Sequence, residues 1–394
     1  MVNPEKVTPP NRTIARSRFT WLAYILLAVY GYLLNILGPI TPYLHNEFKL
    51  SYAVSSLHFS AFAAGILVVG LAGHLAIRQV GRRQALAIGA IGQALGALLL
   101  AVGRVPVVTV GASFLMGCIG SLILAVVPPV LSEEHGELRA VAISEANVLA
   151  SLTSATAPLL VGWLAGAAAG WRLALIPAAG ISLLIGILLL RSGQTRSSNH
   201  PVAVGTRLPL QFWFYWFTLV LAVAVEFCMI FWCADYLEIE LNIPRSDAVK
   251  AVSLFLGGMI IGRWIGSRIL QAQPARRVIL VSNLLAMGGF LLFWTARQPI
   301  AGLTGLALTG LGVASLYPAI LATAIGAAPM DESRAGARTT LASGTAILLL
   351  PLVLGRFADL AGLRIAYIVV AVLLVLLFVL MLISAGFSKA GSGR

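Results

Sequence analysis

Glu226 stands alone in an apolar run, Leu-Ala-Val-Ala-Val-Glu-Phe-Cys-Met-Ile-Phe-Trp, from Leu221 to Trp232. A carboxylate held in hydrocarbon is costly unless it faces a cavity, finds a partner or takes up a proton. The chemistry expected of it is reversible proton binding or contact with a solute. The alternative is a protonated, hydrogen-bonded structural carboxyl. Arg263 sits in a second apolar run, and its stem is long enough to reach back toward a surface. At ~1.5 Å rise per helical residue, Glu226 lies ~24 Å from the start of its stretch at residue 210, and Arg263 ~10 Å from the end of its own. The two are therefore not expected to pair, and Arg263 reads as a bracing or gating residue or a solute contact. His58, Asp235, Arg356 and Asp359 fall toward the opposite ends of their stretches. They are candidates for ion pairs that shut a gate there, or for charges solvated at a membrane edge.

No other chemistry is written in the chain. Cys118, Cys228 and Cys233 lack metal-ligand spacing and read as small packing residues. There is no phosphate-binding G-x-x-x-x-G-K-[ST] loop, no H-E-x-x-H pair and no G-x-S-x-G turn, and the polar loops are too short for a catalytic domain. An enzyme, a cofactor and a metal are all unexpected.

The elements that carry these residues must cross a bilayer. The 394 residues are 59% hydrophobic and only 10% charged, against about 25% charged in soluble domains. Apolar stretches long enough to span hydrocarbon follow one another with short polar breaks. Twelve spans are expected, at 19–44, 52–77, 84–103, 106–131, 141–167, 172–191, 210–237, 248–270, 277–296, 300–326, 338–361 and 364–386. Residues 1–18 are polar and basic and lack the short apolar core of a cleavable leader, so the first span should remain as an anchor. The net charge of +13 is concentrated on the side that would hold both termini, as the positive-inside rule requires of the cytoplasmic side. That asymmetry orients the protein in a plasma (inner) membrane, and a nucleic-acid partner is unnecessary.

The chain also contains its own copy, displaced by 193 residues. Tyr43-Leu44 recurs as Tyr236-Leu237, Gly65 as Gly258, Gly73 as Gly266, Gly117 as Gly310, Pro158 as Pro351 and Gly162 as Gly355. The polar stretch 191–209, rich in Gly, Pro, Ser and Arg, falls between the copies and reads as a cytoplasmic linker. The expected organisation is a six-helix bundle over 1–190, the linker, and a second bundle over 210–394. With six spans each, both copies keep one orientation, so the repeat is parallel. Glu145 and the acidic loop Glu133, Glu134 and Glu137 mirror Asp331, Glu332, Arg334 and Arg338, and read either as charge networks joining the halves or, with a slight preference, as solvated loops.

The loop from Gly73 to Leu86 reads G-H-L-A-I-R-Q-V-G-R-R-Q-A-L. With the repeat and the twelve spans, it resembles the inner-loop signature of the major facilitator superfamily. Gly81, Arg82, Arg83 and Leu86 match that signature. Arg78 occupies its Asp position, and Gly73 comes one residue early. Arg82 and Arg83 should lie on the cytoplasmic side. Span 5 keeps the Pro and the last Gly of an antiporter-type element, at Pro158 and Gly162, which tilts the reading toward export or exchange. The resemblance implies a cavity lined by spans 1, 4, 7 and 10. In this chain that nominates Tyr30, Asn35 and Tyr43, then Glu226 and Trp232, then Ser315 and Tyr317. Pro39, Pro128, Pro129 and Pro318 would interrupt these helices and free backbone groups toward a cavity.

The expected function is secondary active transport of a small solute by alternating access, coupled to protons, by a monomer in the lipid bilayer. An uptake symporter for a sugar or organic acid is the alternative within the class. Outside it stands a membrane-embedded sensor or lipid-modifying protein.

Overall fold

A computed structural model describes residues 16–191, 208–328 and 332–384. The chain termini and most of the expected linker 191–209 lie outside the described residues. Among the described residues every regular element is helical, and twelve helices are long and apolar enough to cross a membrane. Spans 1 to 6 are Arg18–Phe48, Tyr52–Val80, Arg82–Val102, Pro106–His135, Val141–Gly166 and Trp171–Arg191. Spans 7 to 12 are Leu210–Leu241, Arg245–Leu270, Ala275–Thr295, Pro299–Gly326, Arg338–Ala361 and Leu363–Ile383. Each expected span has its helix, with ends displaced by a few residues. Helices are what lipid selects, because hydrocarbon offers the backbone no partners.

The helix ends follow local chemistry. Ser17 and Ser51 cap spans 1 and 2, accepting from Thr20 N at 3.0 Å and Val54 N at 3.3 Å. Span 2 stops at Gly81, whose φ of +83° turns the chain directly into span 3. Two of the expected interruptions occur. Proline cannot donate to the carbonyl four residues back, so Pro39 orphans Asn35, and the first helical segment ends at Asn35. Pro318 likewise orphans Ala314, and span 10 breaks between Val313 and Leu316. Pro128 and Pro129 do not interrupt span 4, which runs unbroken from Pro106 to His135. That expectation is corrected: the run of helical bonds on either side carries them.

The repeat is visible as geometry. Spans 1 and 7 both end in the left-handed conformation, at Lys49 and Asn242, 193 residues apart. In the first half Gly117 packs on the backbone of Phe62, so closely that a Cβ would stand 2.1 Å from the Phe62 carbonyl oxygen. In the second half Gly310 packs on Phe255 with the same 2.1 Å approach. Arg172 binds Glu47 and donates to Gly103 O at 2.9 Å. Arg364 binds Glu240 at 3.6 Å and donates to Ala296 O at 2.8 Å. Both acceptors shift by 193.

The halves meet where span 2 packs on span 11 and span 5 on span 8. Ser60 donates to Leu348 O at 2.8 Å, and Ser253 to Ala155 O at 2.8 Å. One end of the molecule carries Arg78, Arg82, Arg83, Arg191, Arg276 and Arg277 and is called the basic face below. At the opposite face the seam is closed by aromatic packing. Phe59 stacks on Phe231 at 3.8 Å, and Trp232 lies edge-on to both Phe59 and Tyr52.

Candidate solute site between the halves

Glu226 lies midway along span 7, with its side chain 13% exposed. Its Oε1 stands 3.5 Å from Arg263 Nη2 on span 8. A second guanidinium nitrogen, Nη1, donates to Ser151 Oγ at 3.0 Å. Ser151 belongs to span 5, so Arg263 ties the acid of the second half to a hydroxyl of the first. Tyr317, from the segment after the break in span 10, lies within electrostatic reach of both charges and faces Ser343.

The expectation that Glu226 and Arg263 do not pair is thus overturned. The ruler failed because it measured depth from helix ends. Span 7 has 32 residues, ~48 Å at 1.5 Å each, against a hydrocarbon core of ~30 Å. Its end is no marker of the membrane surface, and the arginine stem covers the remaining gap. The pair is loose at 3.5 Å, and Arg263 is 37% exposed. The guanidinium is therefore the more accessible partner, while the acid is largely enclosed.

The other nominated residues divide. Asn35, at the break in span 1, donates to Gly31 O at 2.9 Å and to Ser154 Oγ at 3.1 Å. Ser151 and Ser154 are one helical turn apart on span 5, so Asn35 and Arg263 address the same stretch of that helix. Tyr30 is buried within the first half, its hydroxyl 3.1 Å from Ser121 Oγ. Trp232 is fully buried and donates to Pro351 O at 3.1 Å. Tyr43 stacks on Trp171 near the face opposite the basic one, under the Arg245 guanidinium. Ser315 is buried against span 8, with its Oγ 3.4 Å from Gly262 O. Tyr30, Trp232 and Ser315 serve packing in this conformation, and Tyr43 stands apart from the pair, whereas Glu226, Arg263, Asn35 and Tyr317 remain partly exposed.

The gate candidates do not form the expected ion pairs. Asp359 instead caps a helix across the seam: Tyr52 N donates to Oδ1 at 2.7 Å and Ala53 N to Oδ2 at 2.9 Å. Both amides belong to the first turn of span 2, where the helix dipole favours an anion. Arg356 is exposed and pairs with no carboxylate among the described residues. His58 is buried inside the first half, between Ser55 O and Thr109 Oγ1. Asp235 is buried with no hydrogen-bond partner at Oδ2.

In the inner loop, Arg82 pairs with Glu133, Arg78 is exposed, and Arg83 Nε has no partner. Gly73 is buried beneath Val69. Around the acidic loop of the first half, the described contacts include partners from the start of span 1. Arg16 grips Glu145 at 2.6 and 2.9 Å, and Ser17 binds Glu134. The side chains of Glu137, Asp331, Glu332 and Arg334 lie outside the described residues.

Comparison with known proteins decides the family. The model for the Major Facilitator Superfamily matches residues 23–274. The chain belongs to that superfamily. A Protein TsgA homolog of Serratia proteamaculans is 21% identical over 72% of this chain and 74% of its own. An uncharacterised MFS-type transporter of Yersinia pestis is 28% identical over 38% of this chain, which spans only 39% of that relative. Among solved structures, a bacterial homolog of the human lysosomal transporter Spinster, inward-facing and occupied, superposes with a TM-score of 0.76 at 14% identity, covering 94% of this chain and 98% of its own. The nucleoside transporter NupG gives 0.75 at 13% identity, over 92% and 99%. At such identities the likeness is one of fold, and the superfamily's twelve-helix architecture is what they share with this chain.

Proposed function

We propose that this superfamily member is a secondary active transporter that carries a small solute by alternating access, and that Glu226 couples the movement to protons. The supporting observation is the Ser151–Arg263–Glu226 chain, which places a titratable acid and its counter-charge on the seam along which the halves must rock. A proton on Glu226 cancels the attraction that holds Arg263 Nη2, freeing that side of the guanidinium for a solute while Nη1 keeps its bond to Ser151. Acid and arginine together leave the centre close to neutral. That suits a small neutral or singly charged solute and disfavours a polyanion. The halves 1–190 and 210–394 move as bodies, with 191–209 between them. The protein works as a monomer in the plasma (inner) membrane, with both termini and Arg82 and Arg83 in the cytoplasm. Export or exchange is favoured over uptake by the Pro158–Gly162 element.

Proteoliposomes test the class. Purified protein, first screened for stabilising ligands among sugars, amino acids, organic acids and amphipathic cations, should move a hit solute at a rate that responds to an imposed pH gradient. A stabilising ligand that binds but never crosses the membrane would point to a sensor instead.

A further inference from the structure

A groove of about 200 Å³ lies away from the seam, between spans 8 and 9 and over span 10. Gly262, Ile265, Gly266 and Ile269 form one wall, Val278, Val281 and Leu285 the other, with Leu311 and Ser315 at its floor. Ile265, Val281 and Leu285 are exposed, so the groove opens on the outer surface of apolar helices. Its lining is almost wholly hydrocarbon until it reaches the basic face, where Gln273 and Arg277 close it.

The charge at that end is unbalanced. No Asp or Glu occurs between Asp247 and Asp331. The Arg277 side chain donates to Gln273 Oε1 at 2.9 Å, and Arg268 lies over the Trp264 ring at 4.1 Å. Arg276 is spent on the carbonyls of Met381 and Leu382. Three guanidinium groups thus stand at a membrane edge, and none pairs with a carboxylate among the described residues.

The internal repeat shows that packing does not demand this groove. Its counterpart in the first half is filled: Val69 and Leu122 close over Gly73. At the +193 positions the second half carries Gly262 for Val69 and Ser315 for Leu122, around the shared Gly266. Two large side chains have been removed. Arginine stands at 277 and 268 where the first half has Gln84 and Leu75. Each loop carries three arginines, Arg78, Arg82 and Arg83 in the first half and Arg268, Arg276 and Arg277 in the second, but only in the second does an arginine, Arg277, stand at the mouth of an open groove.

We propose that this groove holds an acyl chain of an anionic phospholipid from the leaflet at the basic face, with its phosphate at Arg277. Basic pockets between membrane helices recognise acidic headgroups in this way. The acyl chain covers the exposed walls, and the headgroup supplies the charge that the protein withholds. Ser315, nominated from the sequence for the central cavity, floors this lateral site instead.

Native mass spectrometry of the full chain in detergent, mixed with phosphatidylglycerol or phosphatidylcholine of identical chains, tests this. Wild type should retain phosphatidylglycerol in clear preference. Arg277→Ala should weaken that retention about fivefold, the factor one basic side chain contributes beside an anionic surface. Val281→Trp fills the groove without changing charge and should weaken it comparably. Arg191→Ala, elsewhere on the basic face, should behave as wild type. Both altered positions are exposed; should either variant aggregate, Arg277→Gln and Leu285→Trp ask the same questions. Equal retention of the two lipids by wild type, undiminished retention by the Trp variant, or displacement of the lipid by millimolar inorganic phosphate would each overturn the assignment.

Discussion

Ser60 and Ser253 make the same hydrogen bond from opposite halves. Each serine donates to a carbonyl across the seam at 2.8 Å, Ser60 to Leu348 and Ser253 to Ala155. Both donors and acceptors are related by the 193-residue displacement, with the halves exchanged. That reciprocity is the signature of a two-fold axis between the bundles, and six spans in each half set that axis along the membrane normal. Ser60→Ala and Ser253→Ala should therefore cost similar stability, about 1 kcal/mol each, and should add. Thermal unfolding of the single and double variants in one detergent measures this. A large loss from one serine and none from the other would mean the seam is not balanced.

The close approaches within each half allow a sharper comparison. A Cβ at Gly117 or Gly310 would stand 2.1 Å from a backbone carbonyl oxygen, which cannot swing aside as a side chain can. Gly117→Ala and Gly310→Ala should each destabilise by about 1–3 kcal/mol or more. Gly111 and Gly257 face open space, and alanine there should be neutral or stabilising, since helical glycine is itself unfavourable by about 1 kcal/mol. Equal behaviour of all four alanine variants in a melting experiment would remove the repeat's packing rationale.

Asp359 is the clearest latch on the face opposite the basic one. The repeat gives it no twin, because its counterpart is Gly166. The closure of that face is therefore one-sided. Asp359→Asn retains one acceptor oxygen and loses the charge facing the helix dipole, which is worth about 0.5–2 kcal/mol. The variant should open more often on that side. A cysteine introduced at Tyr52 should then react faster with a membrane-impermeant thiol reagent in the Asn background, while Cys118, Cys228 and Cys233 are replaced. Unchanged reactivity would remove Asp359 from the gate.

Much of this architecture was legible in the sequence, for a physical reason. Lipid leaves the backbone one solution, so twelve apolar stretches dictate twelve helices, and the glycines at 117 and 310 mark the backbone contacts. The site was only half legible. Glu226 announced itself by its surroundings, but its pairing with Arg263 depends on span 7 exceeding the bilayer, which hydropathy does not report. Ser151 escaped notice because a serine in a membrane helix is ordinary. A stronger signal lay in the repeat. Glu226 replaces Leu33, Arg263 replaces Gly70, Ser151 stands opposite Gly344, and Asn35 opposite Cys228. The polar residues at the centre are those where the two copies disagree, as expected when shared packing preserves the copy and a single site has no twin. The aromatic residues Tyr30 and Trp232 misled, since ring size cannot distinguish a cavity wall from the packing that closes a seam.

The central claim is that Glu226 carries the coupling proton, with Arg263 as its counter-charge. The direct measurement places wild type and Glu226→Gln in liposomes with a pH-sensitive dye inside and a transported, radiolabelled solute. The Gln keeps size and hydrogen-bonding capacity but cannot titrate. Wild type should move protons with the solute and accumulate it against its gradient. The Gln variant should move no protons and accumulate nothing, yet still exchange labelled for unlabelled solute across the membrane. A Gln variant that accumulates solute with the wild-type pH dependence would contradict the account.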